Sequence, residues 1–503
     1  MDEPVVKRSI ELVLASHTNV GKTSLARTLL GRDVGEVRDE AHVTQFSDRY
    51  TWQETAQGES LKLWDTPGFG DSQRLLKRLQ KSGTLRGWLL TEVWDRWLYP
   101  GFHFSQKVLR TVQDEADVVL YLVSAAEPPA AAGYLDSEME LLECIGKPVI
   151  VLINQLASDQ DIAQETADVQ QWQLYCALYP HILTVLPLDA FARCWVQEFV
   201  LLESIQSALQ EQDCRELMGR LISAWKADGL QVFDQAMQGL AKCVARCAIA
   251  RVPVPQATGL QSVAGSLLKG AKSPNKQKAA QDVLGKQMVN DTEHALAKLV
   301  SLYHLDATVE NDIAAQLNHI YHPSKAVSET RVTLLSAVLA GMLSGLAADI
   351  ATGGLTLGGG MIVGGIAGAF GGKAAALGYN RVAGTADSWV EWDADALDAV
   401  FSRLVMCYLI VAHAGRGRGK TVLKREHPRW LEVVPQVVAS RRGKMLQLWE
   451  TRGKGPLAPD AGEHMEEALL PLFTEVTWDV LQTLYPHVAR LREPARLIAI
   501  SPV

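Results

Sequence analysis

Along the first two hundred residues the apolar positions fall into short, nearly unbroken runs separated by helical patterns. Ile10–Ala15, Val118–Val123, Val149–Ile153 and Ile182–Leu186 are runs of this kind, as strands buried on both faces require. Tyr50–Glu54 and Leu61–Trp64 read as a hairpin pair, and Leu25–Leu30, Ser137–Cys144 and Ala167–Leu178 as helices. This alternation predicts an α/β domain over residues 8–205, doubly wound with a mostly parallel sheet. Residues 72–112 form a long insertion after the third strand, carry Trp88, Trp94 and Trp97, and read as helical. Beyond this domain the period becomes helical. One run covers 199–250 and is stopped by Pro253 and Pro255. The polar, basic stretch Gly270–Lys278 reads as a loop, and helices resume over 279–320. A glycine-rich apolar segment follows Pro323, and a last helical region runs from about 386 to the end. The expected division is an α/β domain at 8–205, then a mainly α-helical C-terminal region. The latter comprises helices at 206–325, a glycine-rich helical hairpin at 326–380 and a helical part at 381–503.

Composition narrows the class. At 503 residues, 48% hydrophobic and 21% charged, the chain is neither disordered nor in need of disulfide staples. The seven cysteines are odd in number and include no CxxC pair, which fits reduced thiols and no zinc site. A net charge of −8 argues against a general nucleic-acid binder, and no nucleic-acid partner is expected. The first ten residues carry no apolar signal segment, so a cytoplasmic location is expected, peripheral to or inserted in the inner membrane.

The chemistry concentrates at residues 15–24, Ala-Ser-His-Thr-Asn-Val-Gly-Lys-Thr-Ser, which follow a predicted strand and open a predicted helix. That is the context of a phosphate-binding loop. Ser16, Thr18, Asn19, Val20, Gly21, Lys22, Thr23 and Ser24 are its nucleotide-binding residues. Backbone N–H groups from Asn19 to Thr23 would cradle a β-phosphate, Lys22 would bridge β- and γ-phosphates, and Thr23 would ligate Mg²⁺. Ser16 replaces the first glycine of the pattern, and a serine there is expected to strain the turn. Asp65-Thr66-Pro67-Gly68 follows the strand Leu61–Trp64, so Asp65 can hold Mg²⁺ and the Gly68 N–H can meet a γ-phosphate. Thr44 sits midway between Thr23 and Asp65 and suits a switch threonine that completes the metal shell. Asn154 with Gln155, and Asp189 with Ala190, end two later strands where base-contacting loops belong. Lys22, Thr44 and Gly68 are the candidate catalytic residues.

This set, in this order, resembles the translation-factor-related GTPases, nearest the Era-like and dynamin-like branches, over roughly residues 8–205. The resemblance implies GTP as substrate, hydrolysed to GDP and phosphate with Mg²⁺. Two departures stand out. Asn154-Gln155-Leu156-Ala157 lacks the aspartate of the Asn-Lys-x-Asp base-reading motif, which leaves guanine against adenine open. Phe69 follows the glycine of the Asp-x-x-Gly motif where a water-orienting glutamine often stands; hydrolysis should be slow alone, or depend on an activating partner, lipid or K⁺. Asn19 resembles the K⁺ ligand of potassium-activated relatives, against the plainer reading of a loop asparagine capping a turn. A second Gly-Lys-Thr at 419–421 has no Asp-x-x-Gly partner after it and reads as a basic loop following a helix. The full layout resembles an uncharacterised bacterial family, an Era-like GTPase domain fused to a C-terminal domain of unknown function. His17–Thr23, Val118–Val123, Asp189-Ala190-Phe191 and Gly353–Gly360 carry that resemblance.

Thirteen of the 39 glycines lie between Gly341 and Gly378. Residues 332–348 and 350–372 are uncharged, each close to the ~20 residues that span a bilayer core. Gly360, Gly364, Gly368 and Gly372 recur every fourth residue, the small-residue spacing of packed membrane helices. The same pattern fits a tightly packed hairpin inside a soluble helical core. Eleven Lys or Arg against three Glu over 416–454 fit anionic lipid as well as a solvated basic face. The expected function is a GTP-hydrolysing, membrane-associated nucleotide switch. Lipid contact through 332–372 and 416–454 and a nucleotide-dependent homodimer are the expected partners. The alternatives are a catalytically weak nucleotide-binding scaffold with the hairpin as internal core, and a membrane-perforating protein.

Overall fold

Ile10–Ala15 is apolar apart from Glu11, and a sheet covered on both faces buries it, with Glu11 paired to Arg49 and Trp64. In the computed structural model, which describes residues 8–32, 34, 48–70, 72–82, 100–154, 162–188, 195–253, 274–305, 379–383, 388–416, 421–422, 428–453, 457–485 and 491, β1 (Ser9–Ser16) is a central strand. It is followed by α1 (Lys22–Leu30), β2 (Asp48–Glu54), β3 (Ser60–Asp65), α2 (Ser72–Ser82), α3 (Pro100–Glu115) and β4 (Val118–Ser124). Then come α4 (Leu135–Ile145), β5 (Val149–Asn154), α5 (Ile162–Cys176), β6 (Ile182–Pro187) and α6 (Trp195–Ala208). The six strands form one sheet in the order β2-β3-β1-β4-β5-β6. β2 runs antiparallel to β3 and the others pair in parallel, with Leu12 opposite Leu63 and Val118. The predicted α/β fold, the hairpin pair and the apolar strands are present, but β6 is an edge strand and only partly buried, where burial on both faces was expected.

Side chains alternate across the sheet. Val13, Val119, Tyr121 and Val151 join Leu75, Val108, Val112, Met139 and Leu142 from α2, α3 and α4 in one buried cluster. The described parts of the 72–112 insertion are therefore helical and complete this face of the core; the tryptophans Trp88, Trp94 and Trp97 lie outside the described residues. Each fully buried leucine or valine contributes about 1.5–3 kcal/mol relative to exposure.

The chain divides into two compact units. The first comprises 1–231, 412–424 and 487–503, and the second 232–411 and 425–486. Within the first, α7 (Gln212–Ile249) begins after a break at 209–211, where a continuous helix over 199–250 was expected. Leu209 and Cys214 are both buried, so the apolar period runs through the break and does not reveal it. The second unit holds β7 (Arg251–Pro253), α8 (Pro274–Leu302), β8 (Tyr379–Ala383), β9 (Ser388–Trp392) and α9 (Ala394–Ala412). It also holds α10 (Pro428–Ser440), α11 (Arg442–Glu450) and α12 (Ala461–Leu484). β10 (Gly415–Arg416) and β11 (Thr421–Val422) form a two-stranded ladder grouped with the first unit, and β10 lies against α1.

Several expectations for the second half are corrected. α8 starts at Pro274, not 279, because proline suits the first turn and the lysines and glutamine after it are good helix formers. It stops at Leu302 without a glycine. His304 takes the left-handed conformation (φ 53°), and the Leu305 N–H donates to the Val300 carbonyl at 3.1 Å, a Schellman-type closure. Residues 379–383 and 388–392 are strands, in a sheet ordered β7-β9-β8, where the hairpin's end and a helix start were expected. Pro253 ends the edge strand β7, the place a sheet tolerates it. Val405–Ala412 is the end of α9, so the second Gly-Lys-Thr follows a helix as read. The core of this unit is aromatic: Phe233 packs on Trp478 (4.7 Å) and Tyr408 (5.6 Å), and Phe401 on Phe473 (4.5 Å). The glycine-rich segment at 332–372 lies outside the described residues. Among those described, no helix is long and apolar enough to cross a membrane.

Candidate functional site

Between the end of β1 and the start of α1 the chain must reverse within five residues. Two left-handed residues do it, Asn19 (φ 65°) and Gly21 (φ 98°). Asparagine tolerates that conformation, and at Gly21 a Cβ would also lie 2.7 Å from Asn154 Nδ2. Asn154 is fully buried at the end of β5 and its amide donates to the Val20 carbonyl at 2.8 Å. The residue expected to face a base thus also anchors the loop.

Ser16 shows none of the expected strain. It is the last residue of β1, extended and paired with Leu122. Its hydroxyl accepts from Lys22 Nζ at 2.9 Å and donates to the His17 carbonyl at 2.5 Å. Lys22 is buried, and burial holds its ammonium at a pKa of about 8, with the charges of Asp65 and Glu138 opposing that shift. The Thr23 hydroxyl donates to Asp65 Oδ2 at 2.6 Å. Asp65 has no exposed surface; burial pushes its carboxyl up to about 6, against the Thr23 hydrogen bond and the Lys22 charge. Its other oxygen, Oδ1, is buried without a hydrogen-bond partner. A hydroxyl beside a carboxylate with an unused acceptor is a donor set that fits Mg²⁺.

The segment after Asp65 is docked on the loop. The Thr66 hydroxyl donates to the Leu14 carbonyl (2.6 Å), and the Phe69 N–H to the Ser16 carbonyl (2.9 Å), with His17 and Phe69 paired as a parallel bridge. A Cβ on Gly68 would lie 2.8 Å from the Thr18 Cα, a backbone contact that cannot yield, so only glycine fits. Phe69 does not replace a glutamine in kind: its ring belongs to the core cluster with Leu75, Val108 and Val112.

The structure therefore gathers Ser16, Thr18, Asn19, Val20, Gly21, Lys22, Thr23, Ser24, Asp65, Gly68 and Asn154 around one loop. Thr44, Gln155, Asp189 and Ala190 lie outside the described residues. The sequence reading missed Glu138, with Tyr121 and Tyr134. Leu135, Glu138, Met139 and Leu142 share one face of α4, so a glutamate on an apolar stripe was the available signal.

Two family models match along the chain. Residues 11–155 match the family model described as "50S ribosome-binding GTPase", and residues 177–469 that described as "Domain of unknown function (DUF3482)". GTPase Der of Parvibaculum lavamentivorans is 30% identical over 162 residues, 30% of this chain and 34% of that protein. GTPase Der of Myxococcus xanthus is 26% identical over 147 residues, 29% of this chain and 26% of that protein. The chain thus spans about a third or less of these relatives' length. Among solved structures, Era in complex with MgGDPNP and a segment of 16S ribosomal RNA matches at 18% identity and a TM-score of 0.29. That match covers 41% of this chain and 58% of that one.

Proposed function

The chain belongs to the DUF3482 family and carries a P-loop GTPase domain of the Era and Der type ahead of the family's own region, and from that premise we propose that it binds GTP and hydrolyses it to GDP and phosphate. The observation that carries this reading is the loop itself, where buried Lys22, the Thr23–Asp65 pair and the Gly68 docking converge. A buried lysine whose charge is disfavoured by burial gains an anionic partner when a phosphate arrives. The N–H groups at the start of α1 add to the attraction for an anion. Mg²⁺, held by Thr23 and Asp65 with Thr44 as third candidate, would neutralise phosphate charge. Gln155, Asp189 and Ala190 are the candidate base contacts beside Asn154. Asn19, in its left-handed conformation, is the candidate K⁺ ligand.

The finer reading is a nucleotide switch whose helical C-terminal region engages a membrane. It is supported by the glycine ladder at 332–372, uncharged except for Asp349, and the basic stretch at 416–454. The catalytically weak scaffold stays as the second reading, because Phe69 brings no water-orienting group. One experiment tests hydrolysis against the scaffold reading: single-turnover GTP hydrolysis by wild type and Lys22→Ala, in KCl and in NaCl. Wild-type turnover, faster in KCl, with none in Lys22→Ala is the expected outcome. Equal rates in both salts remove the K⁺ role. Turnover surviving in Lys22→Ala overturns the site.

A further inference from the structure

Beside the phosphate loop lies a polar cluster built on Glu138, whose charge also acts on Lys22. Glu138, in the first turn of α4, has no exposed surface. Its Oε1 lies 2.7 Å from His17 Nδ1, which is placed to donate a proton to it, and its Oε2 accepts the Tyr121 hydroxyl at 2.5 Å. The His17 ring stacks on Tyr134 with centroids 3.8 Å apart and planes 12° apart, and the Tyr134 hydroxyl donates to Glu127 at 3.0 Å. A carboxylate inside an apolar face costs desolvation that a leucine at the same place on α4 would not. Sites that keep such a cost are commonly sites where function requires it.

His17 is where β1 becomes the loop. Its carbonyl takes the Ser16 hydroxyl that in turn accepts from Lys22, and its backbone is bridged to Phe69. On one side, then, the peptide is held by the Asp65–Phe69 segment, and on the other by an imidazole gripped between a buried carboxylate and a tyrosine ring. A charge-assisted hydrogen bond is the stronger kind available for such a grip.

We propose that Glu138 is a positioning residue of the phosphate site, clamping the loop through His17 so that its amides and Lys22 are set for a nucleoside diphosphate before it arrives. The inference rests on the nucleotide-binding reading above. Preorganisation of this kind appears in affinity, because an unclamped loop must order itself on binding.

The test is a fluorescence titration of the full chain with mant-GDP and Mg²⁺, on wild type, Glu138→Gln, His17→Ala and the double variant, each with a thermal melt. Each single variant is expected to bind mant-GDP about tenfold more weakly, and the double no more weakly than the worse single, because both break one clamp. Melting temperatures are expected to stay close to wild type for His17→Ala, whose side chain is 26% exposed. His17→Gln, which restores an N–H donor toward Glu138, is expected to recover part of the affinity. Wild-type affinity in Glu138→Gln, or losses that multiply in the double, overturn the proposal. If Glu138→Gln does not fold, His17→Ala against His17→Gln decides alone, with equal affinities overturning it. Wild type that fails to bind mant-GDP defeats the nucleotide reading itself, an outcome distinct from failure of the clamp.

Discussion

Phe69 is the residue at which sequence and structure diverge most usefully. Its place in the motif suggests a missing catalytic group, but its environment makes it the apolar peg that fastens the segment after Asp65 to the core. Putting a glutamine there buries an amide among Leu75, Val108 and Val112 without delivering it to the phosphate side. Phe69→Gln is therefore expected to lose stability by about 3 kcal/mol and to gain no hydrolysis. A denaturant melt beside a single-turnover assay checks both, and a rate increase would show that the side chain reaches the nucleotide. The same distinction separates what was legible from what was not. Lys22, Thr23, Asp65 and Gly68 announce themselves by spacing, because phosphate chemistry fixes the intervals. Spacing also placed Ser16 but not its hydroxyl bond to Lys22, and it gave no sign of Glu138, which acts through a fold contact 121 residues away.

At the level of elements, legibility followed burial. β1, β4 and β5 are buried along their lengths and were evident as apolar runs. β7, β8 and β9 have three to five residues each; β8 and β9 form a short local hairpin, and β7 is a strand only through its pairing with β9, some 140 residues on. Helix ends were hidden where the usual signals are absent, as at His304, and in α9 a charge sits where it counts for pH. Asp398, in that helix, accepts from Trp449 Nε1 at 2.8 Å and faces Arg442, yet burial outweighs both and lifts its carboxyl to about 6. The folded form then holds its proton more tightly than the unfolded chain. Stability from this group is present below pH 4 and is lost as pH rises through about 6. Asp398→Asn is expected to flatten that decline, which melts between pH 4 and 7 on both proteins would reveal; parallel curves would count against it.

At the scale of the whole molecule, the open question is whether the second half meets a bilayer. Among the described residues no helix is long and apolar enough to cross a membrane. The membrane reading therefore rests on the sequence of 332–372 and the basic stretch at 416–454. Sedimentation with anionic and neutral liposomes, with GTP, GDP or no nucleotide, is expected to show nucleotide-dependent pelleting with the anionic ones. Protein that stays in every supernatant leaves the glycine ladder as a packed core.

The ladder of β10 and β11 carries a practical consequence. Residues 412–424 are distant in sequence from the nucleotide-binding half, yet they cluster with it, and β10 lies on the helix that the phosphate loop opens. A fragment cut after α6 or α7 would therefore be a nucleotide domain missing one of its own pieces. Its catalytic rate would describe an incomplete part, and supplying 412–424 as a separate peptide would be a fairer restoration than lengthening the fragment residue by residue.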